Sequence, residues 1–206
     1  MIGGIAGGAL RALLLPLGVL AVTLASSAAA NERASTTAER NATVMGTELY
    51  VAVRAPDRDK ALAASEVAVA EVRRVEDLLT TWRPDSPLAL FNVAPAGKEV
   101  TLDPELVVVL REVLTWAATT GRAFDPTVLP LIRAWDLRGK GRIPEGDEIA
   151  AALAATGPDR FSVDPARSTA TRLVPTAGID DGAWGKGYAL DRAADRLLAA
   201  GRKSVV

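Results

Sequence analysis

The stretch richest in reactive groups is Gly178-Ile179-Asp180-Asp181-Gly182-Ala183-Trp184-Gly185-Lys186-Gly187-Tyr188. Its small residues free backbone carbonyls and amides for a ligand or a metal. The helix that should follow favours an anion at its start, and Lys186 can meet a phosphate or a carbonyl. It is not a Walker A loop, because Gly187 follows Lys186 where Ser or Thr is required and the four-residue spacing fails. It is not a dinucleotide fingerprint either. Taken alone, it reads as readily as an ordinary loop as a functional one.

Three further stretches have the same double reading. In Met45-Gly46-Thr47 a glycine just before a strand lets the backbone approach a ligand, and a flexible thioether can lie on a flat ring; a methionine in this place also serves simply as core. Thr80-Thr81-Trp82-Arg83-Pro84-Asp85-Ser86 puts a Trp beside an Arg in a turn. That is a stacking platform for a purine or an isoalloxazine, or else a Trp closing the core above a turn. In Gly121-Arg122-Ala123-Phe124-Asp125-Pro126-Thr127, Asp125 can cap a helix that starts at Pro126 and so offer first-turn donors to a phosphate, though capping alone accounts for it.

Composition narrows the chemistry further. Among 206 residues there is no Cys and no His, which removes thiolate nucleophiles, Cys/His zinc sites, disulfides and any nucleophile that depends on an imidazole base. Carboxylates, hydroxyls, Lys, Arg, backbone groups or a bound metal must do the work. The absence of Cys does not assign a compartment, since exported proteins can lack disulfides. A net charge of -1 gives no overall field toward nucleic acid or an anionic membrane.

The elements that must position these groups follow from periodicity. Leu49, Val51 and Val53 alternate in a strand over Thr47 to Arg54, which should end at Ala55-Pro56-Asp57. Leu62, Val69, Val72, Val75, Leu78 and Leu79 fall at helical spacing between Lys60 and Leu79. Asp103-Pro104-Glu105 opens a helix over Leu106 to Thr119 that Gly121 closes, and Pro144 to Ala155 reads as a third helix. Phe161 to Val163 and Thr171 to Val174 resemble a hairpin, and Gly187 to Ala200 a fourth helix. Lys203-Ser204-Val205-Val206 reads as the opening of a strand, which points to a truncated chain.

At the amino terminus Arg11 precedes an uncharged run of about 19 residues, against the roughly 20 that span a bilayer. Pro16, Gly18 and the small residues Ala28-Ala29-Ala30 favour a signal peptide over residues 1–30, cut near Ala30, over a retained anchor. No Cys is available for a lipid anchor. Residues 31–43 are polar and small, and read as a linker outside the fold, which leaves 44–206 as the folded unit.

In order and spacing, Met45-Gly46-Thr47, Thr80 to Ser86, Gly121 to Thr127, Trp135-Asp136 and Asp180 to Tyr188 together resemble the motifs of the FAD:protein FMN transferase family, also called the ApbE family. The resemblance covers about Met45 to the end. It implies an α+β fold with a mixed or antiparallel sheet and helices packed on its face. It also implies FAD contacts by Met45, Trp82, Ala123, Phe124, Asp125, Asp180 and Lys186, with the carbonyl of Ala183 helping to hold Mg²⁺ and the other Mg²⁺ ligands falling beyond Val206. Trp82 stands where the family has Tyr, and Asp181 puts a charge where an apolar residue is usual. The reaction implied is transfer of FMN from FAD to a Ser or Thr hydroxyl of an acceptor flavoprotein, with Mg²⁺ and release of AMP, in an exported, periplasmic or extracytoplasmic protein. The alternatives are an exported FAD-binding protein or inactive fragment without turnover, and a metal-dependent FAD pyrophosphatase.

Overall fold

The computed structural model describes residues 35–200; the leader and the final strand expected from the sequence lie outside them. Strands β1 (Thr36–Val44) and β2 (Thr47–Ala55) form an antiparallel hairpin, with Thr36 opposite Ala55 and Val44 opposite Thr47. The two residues left for the turn, Met45 and Gly46, both have positive φ, 50° and 68°, the condition for a turn that matches the twist of the strands. Helix α1 (Arg58–Leu79) starts where the Asp57 side chain accepts the Lys60 N–H at 2.8 Å, and it lies across the hairpin.

The strand β1 corrects the linker expected over residues 31–43. From Thr36 onward alternate residues turn inward, and Ala38 and Val44 are buried. Ala38, Ala55 and Ala61 pack as a small cluster of their own where helix and hairpin approach closely. A strand whose inward residues are Thr36, Ala38, Arg40, Ala42 and Val44 is weakly apolar, and so reads as a linker until the helix that covers it is known. Arg40 adds an ion pair to Glu66 at 2.7 Å and a hydrogen bond to Ser65 Oγ at 3.3 Å.

After α1 the chain forms α2 (Pro87–Val93), a short β3 (Val100–Thr101) and α3 (Pro104–Thr119), which begins at the cap Asp103 and the first-turn Pro104 as expected. Helices α4 (Leu129–Ala134) and α5 (Gly146–Ala154) follow. Then β4 (Phe161–Asp164) and β5 (Thr169–Arg172) make the expected hairpin, and β3 joins it on the β5 side to give an antiparallel sheet of order β3-β5-β4. Helix α6 (Gly185–Ala199) returns along α1. The main core gathers Val72, Val75 and Leu79 of α1, Leu88 and Phe91 of α2, Leu106 and Leu110 of α3, and Ile179. Over the described residues the architecture is α+β with two antiparallel sheets. Among the described residues no helix is long and apolar enough to cross a membrane.

Helix α4 begins at Leu129 rather than Pro126. A helix from Pro126 would need its carbonyl to accept the N–H of residue 130, and Pro130 has none. The Pro126 carbonyl instead accepts the N–H of Asp180 at 2.8 Å. Asp125 therefore closes a turn, accepting the Thr127 N–H at 2.9 Å, instead of capping a helix.

Candidate functional site

Four segments surround a cleft of about 810 Å³: the β1–β2 turn, the exit of α1, the turn after α4, and the glycine-rich loop that opens α6. Met45 is held in its left-handed conformation by a hydrogen bond from its N–H to Glu76 Oε1 at 2.8 Å. A non-glycine residue at positive φ stores backbone strain that the surroundings must offset, and such strain collects at ligand sites. At the exit of α1, Ser86 caps α2 and donates its hydroxyl to the Thr80 carbonyl, which fixes the Thr80 to Ser86 turn. Trp82, on that turn, is 71% exposed.

The glycine-rich loop is anchored from behind by Asn92, a buried residue of α2. Its amide donates to the Ile179 carbonyl and accepts the Ile179 N–H, both at 2.8 Å. This reciprocal pair aims the following residue, Asp180, at the cleft. Gly178 has no room for a side chain, since a Cβ there would lie 2.7 Å from Leu129 Cδ2. Beyond it, the Asp181 carbonyl accepts the N–H groups of Trp184 at 3.1 Å and Gly185 at 2.7 Å and so begins α6. No side chain caps this helix and its first turn holds no acid, so the start of α6 keeps its preference for an anion, with the exposed Lys186 beside it.

The charges on the floor of the cleft form one network. Arg138 donates to the Thr81 carbonyl and to Thr81 Oγ1, each at 2.6 Å, and pairs with Asp180 Oδ1. Its guanidinium also lies 5.0 Å from the centre of the Trp82 ring, within cation–π range. The Thr81 hydroxyl reaches Asp181 Oδ1 at 3.1 Å, and Asp180 Oδ2 accepts the Gly182 N–H at 3.0 Å. Burial pushes the Asp181 carboxyl above its ordinary range, as does its neighbour Asp180, while Thr81 and Arg138 oppose the shift.

Of the residues expected to contact FAD, Met45, Trp82, Asp180 and Lys186 line this cleft together. Phe124 does not; it lines a second, more apolar groove of about 350 Å³ with Trp116, Trp184 and Tyr188. Asp125 is turned toward Arg122, whose Nε donates to it at 2.7 Å, and it lines neither space, while its neighbour Pro126 accepts the Asp180 N–H. Ala123 is exposed and lines neither space, and Ala183 is exposed on the loop. Glu76, Asn92 and Arg138 are functional candidates to which motif reading gave no role, as is Thr81 within the Thr80 to Ser86 stretch. The signal available for Arg138 was an arginine in a glycine-flanked turn just after Trp135-Asp136.

The cleft volume lies in the upper part of the range for small-molecule sites, and its mix of aromatic, cationic and backbone donors suits a dinucleotide such as FAD. A magnesium site is another matter. Mg²⁺ asks for six oxygens in near-octahedral array. Among the described residues no group of three or more acids converges in a way that could hold a metal. These residues do not by themselves make that site.

The sequence profile of the ApbE family matches residues 45–206. The chain belongs to the ApbE family. An FAD:protein FMN transferase of Klebsiella pneumoniae (strain 342) is 32% identical over 193 residues, covering 91% of this chain and 55% of its own length. An FAD:protein FMN transferase of Haemophilus influenzae is 26% identical over 190 residues, 87% of this chain and 54% of its own length. Among solved structures, the ApbE protein of Thermotoga maritima superposes with a TM-score of 0.73 at 26% identity, covering 80% of this chain and 53% of its own. The flavinyl transferase ApbE of Pseudomonas stutzeri gives 0.72 at 26% identity, with 81% and 54% coverage. This ApbE chain thus spans about half the length of the relatives it matches.

Proposed function

We propose that this chain is the flavin-binding part of an exported FAD:protein FMN transferase, which moves FMN from FAD to a Ser or Thr hydroxyl of an acceptor protein. The observation that carries the reading is the gathering of Met45, Trp82, Asp180 and Lys186 around one cleft, from segments far apart in sequence. Family membership and the names of the relatives support it. The leader pattern at residues 1–30 supports export to the periplasm or the outer face of the membrane. Mg²⁺ dependence belongs to the same proposal, with the Ala183 carbonyl as this chain's contribution.

In this reading the exposed ring of Trp82 stacks on the isoalloxazine while Lys186 and the first-turn amides of α6 face the diphosphate. Met45 closes one side of the flavin with its thioether. The acceptor hydroxyl oxygen forms a bond to the FMN-side phosphorus, the bond from that phosphorus to the bridging oxygen breaks, and AMP leaves with that oxygen. The hydroxyl proton goes to a base for which the cleft offers carboxylates but no imidazole. Charge builds on the diphosphate oxygens, so positioned cations and amides are where rate is gained.

The test is to titrate the protein with FAD, following flavin fluorescence and Trp quenching, and then to add an acceptor protein and assay both covalent flavin and AMP. Covalent flavin with AMP in equal amount is the expected result. AMP without labelled acceptor would make the protein an FAD pyrophosphatase, and binding without AMP a flavin-binding protein. A folded protein that ignores FAD overturns the reading.

A further inference from the structure

The cleft carries two acids that are neighbours in the chain. Asp180 and Asp181 are both among its lining residues, side by side. Two adjacent carboxylates repel any anion placed beside them, and burial sharpens the repulsion. Among the described residues, Arg138 is the cation bonded to the pair. It pairs directly with Asp180 and reaches Asp181 through the Thr81 hydroxyl.

We propose that Arg138 is a specificity-determining residue: by offsetting part of the charge of Asp180 and Asp181 it allows the cleft to take the charged diphosphate of FAD, a requirement an uncharged flavin does not have. The inference rests on the flavin reading above and adds to it a residue outside the quoted motifs. Its geometry suits the role. Of the five N–H donors of a guanidinium, three bonds to Thr81 and Asp180 occupy three, which leaves two for a ligand in the cleft. The pair is only partly covered, with side chains 26% and 14% exposed for Arg138 and Asp180, so its charge is felt in the cleft rather than lost to bulk water. A purely structural bridge would hold Trp82 and Thr81 in place for any flavin alike.

The experiment compares the affinities of FAD and riboflavin for the whole protein and for R138Q, R138K, D181N and R138Q/D181N, in EDTA so that the protein's own charges decide. R138Q should weaken FAD about tenfold, the effect of losing one charge-assisted contact, while riboflavin changes by less than about twofold. R138K should keep most of the FAD affinity. R138Q/D181N should recover much of what R138Q loses, and D181N alone should tighten FAD, which serves where R138Q fails to fold. Equal losses for both flavins, no loss of FAD, or an unchanged D181N would overturn the inference while leaving the flavin reading standing. A wild-type protein that binds neither flavin overturns both.

Discussion

Among the described residues, two pairs of acids that share an arginine stand in contrast. Between α1, α3 and α6, Arg74 bonds Glu105 through two nitrogens at 2.7 and 2.8 Å and Glu71 at 2.7 Å. Arg196 reaches Glu71 at 3.3 Å, and the Tyr188 hydroxyl donates to Glu105 at 2.8 Å. In the cleft, Arg138 meets Asp180 directly and Asp181 only through Thr81. The first pair is served by two arginines and a phenol, and the Arg74 contacts hold both carboxyls below their usual range. The second has one arginine for two charges, and the Asp181 carboxyl goes up instead. The same ion chemistry closes a helix interface where it is saturated, and leaves capacity for a ligand where it is not.

The contrast can be broken from either side. The largest effect should come from Asn92→Leu, which leaves the N–H and C=O of Ile179 buried without partners. A loss of about 3 kcal/mol is expected from two such groups. Because Asp180 follows Ile179, FAD affinity should fall as well, and a thermal melt with an FAD titration measures both. Next in size is Glu71→Ala. Glu71 is 8% exposed, and its removal takes a carboxylate from Arg74 and Arg196, at a cost of about 2 kcal/mol. FAD affinity should not change, since Glu71 lies outside the cleft; a drop there would show that the two networks are coupled. Lys186→Ala should do the reverse. The side chain is exposed at the start of α6, so the melting temperature should hold within about 1 °C while FAD affinity falls about tenfold.

What the sequence made legible has a physical pattern. Helices α1 and α3 and the β4–β5 hairpin were readable because their apolar spacing and caps are local signals, and Asp103-Pro104 marked the start of α3 to the residue. Strand β1 was not, because a strand whose inward side mixes Thr, Ala and Arg with a single Val gains its burial from the helix lying over it. The motif residues Met45, Trp82, Asp180 and Lys186 were found as separate stretches, but what joins them was not. Asn92 and Ile179 are 87 residues apart, and Arg138 and Asp180 are 42 apart. Such contacts leave no periodicity. The segment Gly121 to Thr127 erred in a different way: Asp125 followed by Pro126 fits a helix cap, and only Pro130, together with the demand of Asp180 for an acceptor, turns it into a loop.

The smallest effect, and the finest test of the saturated pair, is its pH dependence. The groups facing Glu71 and Glu105 are Arg74 on α1 and Tyr188, Arg192 and Arg196 on α6, with the Arg192 guanidinium 5.2 Å from the centre of the Tyr188 ring. Hydrogen bonds from Arg74 lower both carboxyls, so their contribution to stability is complete above the unfolded value, near pH 4.5, and is lost as pH falls through the lower folded values. Tyr188 has the opposite sign. Burial first, and then its bond to Glu105, raise the phenol, so its contribution holds below about pH 10 and fades as pH climbs through the folded value. Melting temperature should therefore be level from about pH 5 to 9 and fall on both sides. Other lowered acids, such as Glu148 at about 2 beside Arg142, add to the acid slope, so the informative quantity is a difference between variants. Glu71→Gln should lower the plateau and flatten the acid side alone, and Tyr188→Phe should flatten the alkaline side. A Glu71→Gln protein with an unchanged acid slope would mean that Arg74 transfers its bonds entirely to Glu105, and that one carboxylate is enough to saturate it.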